Sequence, residues 1–341
     1  EMTILVTGSA GFIGSNFVNN WFLSNDEEIL SVDILTYAGN LANLKTQENN
    51  ANHHFVAADI SDKNKLINLI DQYKPRAIIH FAAESHVDRS ILASDTFIKT
   101  NILGTYNLLE ICREYQSSLN IKFVHISTDE VFGSLGDGDN GFSENTPYKP
   151  NSPYSASKAA SDHLVRAWQN TYNLQTLTTN CSNNYGPFQF PEKLIPLMIL
   201  NALSDKSLPI YGDGKNVRDW LYVSDHCNAI EKVLDKGLYG ETYNIGGNCE
   251  LTNLEVVTEI CNSLDRLRPK KQGSYLDQVE YVSDRPGHDR RYAINAEKIT
   301  NSLNWKPKET FESGLNKTIE WYLENSEWVA SIESGQYLKN R

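Results

Sequence analysis

The stretch Thr3-Ile4-Leu5-Val6-Thr7-Gly8-Ser9-Ala10-Gly11-Phe12-Ile13-Gly14 decides the fold. Its first four residues form a compact apolar strand, which runs into three glycines and then an amphipathic segment reaching about Leu23. One glycine must turn the chain sharply, and the others must let backbone amides and a helix start approach a diphosphate. A glycine triplet spaced G-x-x-G-x-x-G marks a plain turn more often than a cofactor site, so the context carries the argument. Here a second strand, Glu28 to Val32, follows the helix and ends at Asp33. A carboxylate there accepts hydrogen bonds from ribose hydroxyls and repels a 2′-phosphate, which predicts NAD over NADP.

Downstream, strand and helix patterns keep alternating. His53 to Ala57 reads as a strand ending at Asp59-Ile60, Lys63 to Tyr73 as a helix, and Ala77 to Phe81 as a strand leading into Ala82-Ala83-Glu84-Ser85-His86. Asp95 to Tyr115 reads as a long helix with Ser94 as its N-cap. His54, His80 and His125 lie inside strand patterns and are read as hydrogen-bonded structural residues. Such alternation implies an α/β fold: a Rossmann-type doubly wound parallel sheet. After a strand over Leu174 to Thr179, elements shorten and Gly/Pro turns multiply. We therefore expect a dinucleotide-binding domain over 1–180, with later segments returning to it, and a smaller mixed α/β substrate-binding lobe over 181–341.

The chemistry is concentrated between Val124 and Lys158. A β-branched, apolar strand ends in Ser127-Thr128-Asp129-Glu130, at the carboxyl end where ligands bind in open α/β sheets. Tyr154-Ser155-Ala156-Ser157-Lys158 opens a helix to about Tyr172, and residues i and i+4 share a helix face. An ammonium beside a phenol favours the phenolate, so Tyr154 and Lys158 together could take a proton from an alcohol. The spacing alone is weak evidence, because Tyr211-Gly212-Asp213-Gly214-Lys215 repeats it; the glycines make that copy a turn. Thr128 and the cofactor loop are what single out the first copy.

Composition narrows the remaining possibilities. With 341 residues and 40 % hydrophobic content the chain can bury one large core or two modest ones. Acidic residues outnumber basic ones, 43 to 31, for a net charge of −12, which argues against a general nucleic-acid or anionic-membrane surface. No apolar run reaches transmembrane length, and the amino end enters a strand directly, with no signal peptide pattern. Five cysteines, with no metal-ligand spacing, suit a reducing cytoplasm and predict no bound metal.

Taken together, these motifs resemble the extended short-chain dehydrogenase/reductases, and more closely the nucleoside-diphosphate-sugar 4,6-dehydratases, in particular those acting on dTDP-glucose. The resemblance spans nearly the whole chain, and Asn183-Asn184-Tyr185-Gly186-Pro187 and Arg285-Pro286-Gly287-His288-Asp289-Arg290-Arg291-Tyr292 are specific to this branch. Phe132 replaces a usual Tyr and Ser224 a usual acidic residue. The resemblance implies C4 oxidation of the sugar by NAD with Tyr154 as base, and Lys158 and Thr128 in support. Glu130 would take the C5 proton, Asp129 would protonate the departing 6-hydroxyl, and hydride would return to C6.

By the same resemblance Gly8, Gly11, Phe12, Ile13, Gly14, Asp33, Leu35, Thr36, Asp59, Ile60, Ala82, Ala83, Thr100, Asn184, Tyr154 and Lys158 contact NAD. Ser85, Thr128, Asn183, Lys193, Leu194, Pro209, Tyr211, Arg218, Asn253, Arg285 and His288 contact the nucleotide sugar. The family also implies a homodimer built on the helices near 95–115 and 155–172. Two other readings share parts of the pattern. A sugar-nucleotide 4-epimerase has no use for Asp129 and Glu130, and a non-catalytic NAD sensor has no use for Tyr154, Lys158 and both carboxylates in register.

Overall fold

The computed structural model describes residues 2–284 and 287–340, so Arg285, expected to touch the nucleotide, lies outside the described residues. The strands in chain order are β1 (Thr3–Thr7), β2 (Glu28–Asp33), β3 (His53–Ala57), β4 (Ala77–His80), β5 (Lys122–Thr128) and β6 (Thr176–Cys181). They continue with β7 (Asn183–Tyr185), β8 (Leu208–Tyr211), β9 (Val217–Tyr222), β10 (Thr242–Ile245), β11 (Glu250–Thr252) and β12 (Val279–Val282). Seven of them form one sheet in the order β10-β6-β5-β4-β1-β2-β3, and every pairing in it is parallel. The central strands are buried on both faces, as parallel strands covered by helices must be; β1 and β4 are buried throughout. Chain order reverses between β1 and β4, and a crevice opens there at the carboxyl ends of the strands.

Two apolar layers flank the sheet. Phe17, Val18 and Trp21 of the Phe12–Trp21 helix pack with Ile230, Val233 and Leu234 of the Val223–Lys236 helix on one side. Leu66, Leu69 and Ile70 pack with Leu108, Leu109 and Ile111 on the other. A separate core holds the remaining strands together with the Asn253–Leu267 and Phe311–Glu324 helices. There β11 and β7 pair with β9, and β12 pairs with β8.

The long helix expected over 95–115 is interrupted. A Ser94–Phe97 turn leads into a π-helical stretch, Ile98–Gly104, and then a regular Thr105–Glu114 helix. Ser94 is not its N-cap. A short helix, Val87–Leu92, ends immediately upstream, so the single non-helical residue is Ala93 (φ −145°, ψ 72°), and Ser94 already lies inside the next turn. The strand expected from Leu174 starts at Thr176. Tyr211-Gly212-Asp213-Gly214-Lys215 is a turn after β8, with Gly212 and Gly214 at φ +60° and +70°.

Candidate active site

Gly8 leaves β1 at φ +66°, and a Cβ there would lie 2.6 Å from the backbone nitrogen of Ala82 on the loop after β4. A Cβ on Gly14 would lie 2.1 Å from the Gly8 carbonyl oxygen. The loop can therefore close against its neighbours only as glycine. Gly11 caps the Phe12–Trp21 helix without a side-chain bond, leaving the first-turn amides at the cleft for an anion. At the end of β2, Asp33 accepts from the amides of Ala10 (3.0 Å) and Leu35 (2.7 Å), with Leu35 held at φ +58°. The carboxylate thus ties the glycine loop to its own strand while lining the cleft. This combination of close-approach glycines, uncapped amides and a fixed carboxylate suits the diphosphate and ribose of a dinucleotide.

The cleft, of about 500 Å³, continues past the ends of β4 and β5 to Thr128, Glu130, Tyr154 and Lys158. Thr128 is extended (φ −136°, ψ 154°) and its Oγ1 accepts from the Glu130 amide at 3.2 Å, starting a 3₁₀ turn over Asp129–Phe132. That turn sets the two carboxylates in different surroundings. Asp129 is buried, its Oδ2 has no hydrogen-bond partner, and burial together with the Glu130 and Asp219 charges holds its carboxyl well above the usual range. Glu130 is only half-buried and lines the cleft.

Across the cleft runs the Pro153–Tyr172 helix, started by a Ser152/Ser155 capping box with Pro153 at its first position. Its buried stripe includes Tyr154, Lys158 and Asp162, so the expected shared face exists. Lys158 Nζ donates to the Ile126 carbonyl of β5 at 2.8 Å. The expectation that Lys158 draws the Tyr154 phenol toward neutrality is not met by the protein's own groups. Burial first, then the Glu130 charge, pushes the phenol well above its ordinary value.

The other expected positions divide into two groups. Gly8, Gly11, Phe12, Ile13, Gly14, Asp33, Thr36, Asp59, Ile60, Ala82, Ala83, Thr100 and Asn184 line this one cleft, as do Ser85, Asn183 and Lys193. Leu35 packs in the core, acting through its amide. Leu194 opens the helix after Lys193. Pro209, Tyr211, Arg218, Asn253 and His288 do not line the cleft and lie on β8, on β9, at the start of the Asn253–Leu267 helix and on the 287–296 segment. Of these, Arg218 is buried with its guanidinium 4.3 Å over the Tyr292 ring, and the Glu130 charge acts on the Tyr292 phenol. This segment therefore borders the carboxylate pair.

One residue at the site, Glu192, carries no signal in the sequence. Glu192 lines the cleft and meets Tyr37 Oη (3.2 Å), His86 Nε2 (3.4 Å) and Arg89 Nη2 (3.7 Å), joining loops from both halves of the molecule. It sits next to Lys193 in a loop, where no periodicity exposes a role. Tyr292, whose hydroxyl donates to Asp289, closes the branch-specific segment that ends Asp289-Arg290-Arg291-Tyr292. Among the described residues no three His, Cys, Asp or Glu side chains are grouped to hold a metal ion. All five cysteines are free thiols.

A family model described as GDP-mannose 4,6 dehydratase matches residues 5–318. The dTDP-glucose 4,6-dehydratase of Salmonella typhimurium is 55 % identical, with 98 % of this chain and 97 % of that protein covered. The crystal structure of dTDP-glucose 4,6-dehydratase from Bacillus anthracis in complex with NAD superposes with TM-score 0.87 at 50 % identity, covering 97 % of this chain and 100 % of that one. The Streptomyces venezuelae dTDP-glucose 4,6-dehydratase, crystallised with NAD bound, superposes with TM-score 0.88 at 44 % identity, covering 96 % and 98 %. Motif, cleft and kinship agree, and the chain belongs to the nucleotide-sugar 4,6-dehydratases of the extended short-chain dehydrogenase/reductase family.

Proposed function

We propose that this protein dehydrates dTDP-glucose to dTDP-4-keto-6-deoxyglucose in deoxysugar biosynthesis, with NAD as its cofactor. The observation that carries the reading is the Asp129–Glu130 pair beside Tyr154: adjacent carboxyls, one buried with its pKa pushed well above the usual range, one lining the cleft. The relatives' names and their NAD complexes support the substrate and the cofactor.

Bound NAD supplies a hydride acceptor for C4 and later a donor for C6, and its oxidised ring brings a positive charge. The glycine loop, Asp33 and Lys158 would hold it. Tyr154 would take the 4-hydroxyl proton, against the burial and the Glu130 charge that oppose its phenolate. Thr128 Oγ1 steadies the 4-oxygen. Once C4 is a carbonyl the C5 hydrogen is acidic, and Glu130 removes it while Asp129 gives its proton to the leaving 6-hydroxyl. A protonated acid next to an ionised base is the division of labour this elimination requires.

Residues 1–180 would hold mainly the cofactor and 181–341 mainly the nucleotide sugar, with β10 entering the large sheet beside β6. Arg218, Asn253, Pro209, Tyr211 and His288 would meet the nucleotide. Exposed Ile98, Leu103 and Tyr106, together with Tyr172 on the second helix, form an apolar surface suited to pairing two copies as a homodimer. No helix among the described residues is long and apolar enough to cross a membrane, and the free thiols fit a cytoplasmic setting.

The test is Glu130→Gln, which keeps the side chain's size but cannot accept the C5 proton. It should still reduce bound NAD with dTDP-glucose, yet release no 6-deoxy-4-keto product and exchange no C5 hydrogen with deuterated water. In the parent enzyme, deuterium placed at C4 should appear at C6. Return of that label to C4 would replace the dehydratase with an epimerase.

A further inference from the structure

Lys158 is 4 % exposed, and its ammonium donates to one carbonyl, Ile126 O. Burial of this kind favours the neutral amine, whereas binding a ribose hydroxyl and supporting a phenolate both need the charged form. One helical turn further along the same stripe lies a group that the reaction does not use. Asp162 is 5 % exposed, and its Oδ1 accepts from His125 Nε2 at 2.9 Å. Its Oδ2 accepts from Ser127 Oγ (2.9 Å), Tyr148 Oη (2.8 Å) and Asn180 Nδ2 (3.3 Å). These are four donors around one buried carboxylate.

None of the four brings a positive charge. His125 is buried and pushed toward its neutral form, and its Nδ1 has no partner, which leaves the Nε2–H tautomer donating to Asp162. His80 is also held neutral; its Nδ1 accepts from Thr7 and its Nε2 donates to Thr105, whose own hydroxyl donates to Asn101 O. Burial alone would raise the Asp162 carboxyl, yet it lies below its ordinary range, lowered by the His125 hydrogen bond and electrostatic attraction, then by the Lys158 charge and the Ser127 hydrogen bond. A buried anion with only neutral donors looks for a cation, and Lys158 is the buried cation on its face.

We infer that Asp162 is a positioning residue for the dehydratase reaction: the buried anion that keeps Lys158 in its ammonium form and fixes it against the end of β5. The inference rests on the functional reading above. The cluster binds the last four residues of β5 in succession, through the His125 ring, the Ile126 carbonyl, the Ser127 hydroxyl and the Thr128 carbonyl, the last receiving Asn180 Nδ2 at 3.0 Å. The charged or titratable groups acting on Lys158 from the packed elements are His80 on β4, His125 on β5, Cys181 on β6 and Asp162 on its own helix, where Tyr154 shares the buried face. Glu130 and Asp129 of the 3₁₀ turn act on Tyr154. The 94–114 segment presents the neutral Asn101 and Thr105. The Cys181 thiol is pushed up to about 12, so it is uncharged at working pH and Asp162 is left as the compensating charge.

The experiment follows the Lys158 Nζ resonance in ¹⁵N-lysine-labelled holoenzyme, assigned by its loss in Lys158→Arg, alongside the pH profile of kcat/KM for dTDP-glucose. Burial lowers the Lys158 ammonium from its ordinary value and the Asp162 charge opposes that, so in the parent Lys158 should remain an ammonium throughout the pH range in which the enzyme turns over; a neutral amine within that range overturns the inference with no need for a variant. Asp162→Asn can fold, because Oδ1 still accepts from His125, the Ser127 and Tyr148 hydroxyls can turn to accept from Nδ2, and Asn180 Nδ2, which loses its longer bond to this side chain, keeps the Thr128 carbonyl at 3.0 Å. Its Nζ titration and the alkaline limb of its profile should move down by about one pH unit or more, a tenfold loss of ammonium at a fixed alkaline pH. Tyr148→Phe removes a donor but not the charge, and should leave the alkaline limb in place. If Asp162→Asn titrates like the parent, or Tyr148→Phe shifts as far, the charge is not what acts. Absence of turnover in the parent would count against the proposed reaction, while the Nζ titration would still decide the role of Asp162.

Discussion

At the scale of single residues, Asp129 shows chemistry bought against stability. Its carboxyl is buried with Oδ2 unpaired, so the folded chain favours the protonated form and its pKa is raised. A raised folded-state value means this group's contribution is most favourable at low pH and is lost as pH rises through the folded value. Asn has the same shape and no charge to bury. Asp129→Asn should therefore lose elimination yet melt at a higher temperature than the parent at pH 8, with the gap closing as pH falls. Melting curves across pH 5 to 8 decide it: a variant that melts lower throughout would mean Asp129 is a structural carboxylate and not a stored acid.

At the scale of elements, the Pro153–Tyr172 helix carries Tyr154, Lys158 and Asp162, so its starting point fixes their height over β5. That start is set by the reciprocal Ser152–Ser155 box, in which each side chain bonds the other's amide at 3.1 and 3.0 Å. Ser152→Ala removes one cap and should cost about 1 kcal/mol of stability. Because the fraying would begin two residues before Tyr154, we expect kcat to fall while the affinity for NAD is kept; denaturant midpoints and cofactor titration would show it. Equal losses of kcat and of NAD binding would mean that the cap supports the cleft as a whole.

The same elements show what a sequence can disclose. The Lys63–Tyr73 helix and the His53–Ala57 strand have the ends read from pattern alone, since their apolar periods are interrupted by clear caps and turns. The Ser94 cap was misplaced because a cap is defined by the backbone entering it, and a short helix upstream supplied that backbone. The Tyr154/Lys158 face was legible as i, i+4, whereas Asp162, at the same spacing from Lys158, resembles an ordinary surface ion pair until β5 and β6 are seen to enclose it. Glu192 and Arg218 act across loops distant in sequence, which no local period can bring together.

At the scale of the whole molecule, the two cores meet around the cofactor cleft, and the carboxyl end of the chain is part of the joint. Trp328 packs in the second core, and its indole N–H donates to Asn43 Oδ1 at 2.8 Å. Asn43 Nδ2 in turn donates to the Ala10 carbonyl at 2.9 Å, and the Ala10 amide donates to Asp33 at 3.0 Å. A line of hydrogen bonds thus runs from the last helix to the carboxylate expected to hold the ribose. Tyr337 adds a second tie, its hydroxyl donating to the Tyr37 carbonyl at 2.6 Å. Trp328→Phe preserves most of the ring packing but strands Asn43 Oδ1 in a buried place, a loss of roughly 2 kcal/mol by the usual cost of an unpaired buried acceptor. If the joint transmits that loss, the variant will melt a few degrees lower and will also lose NAD faster on dialysis, since the Asn43–Ala10–Asp33 line loses its anchor. Restoring NAD in excess should then recover turnover, because Thr128, Glu130 and Tyr154 are untouched. A variant with a lower melting point but the parent's rate of NAD release would confine Trp328 to its own core and break the proposed line at Asn43.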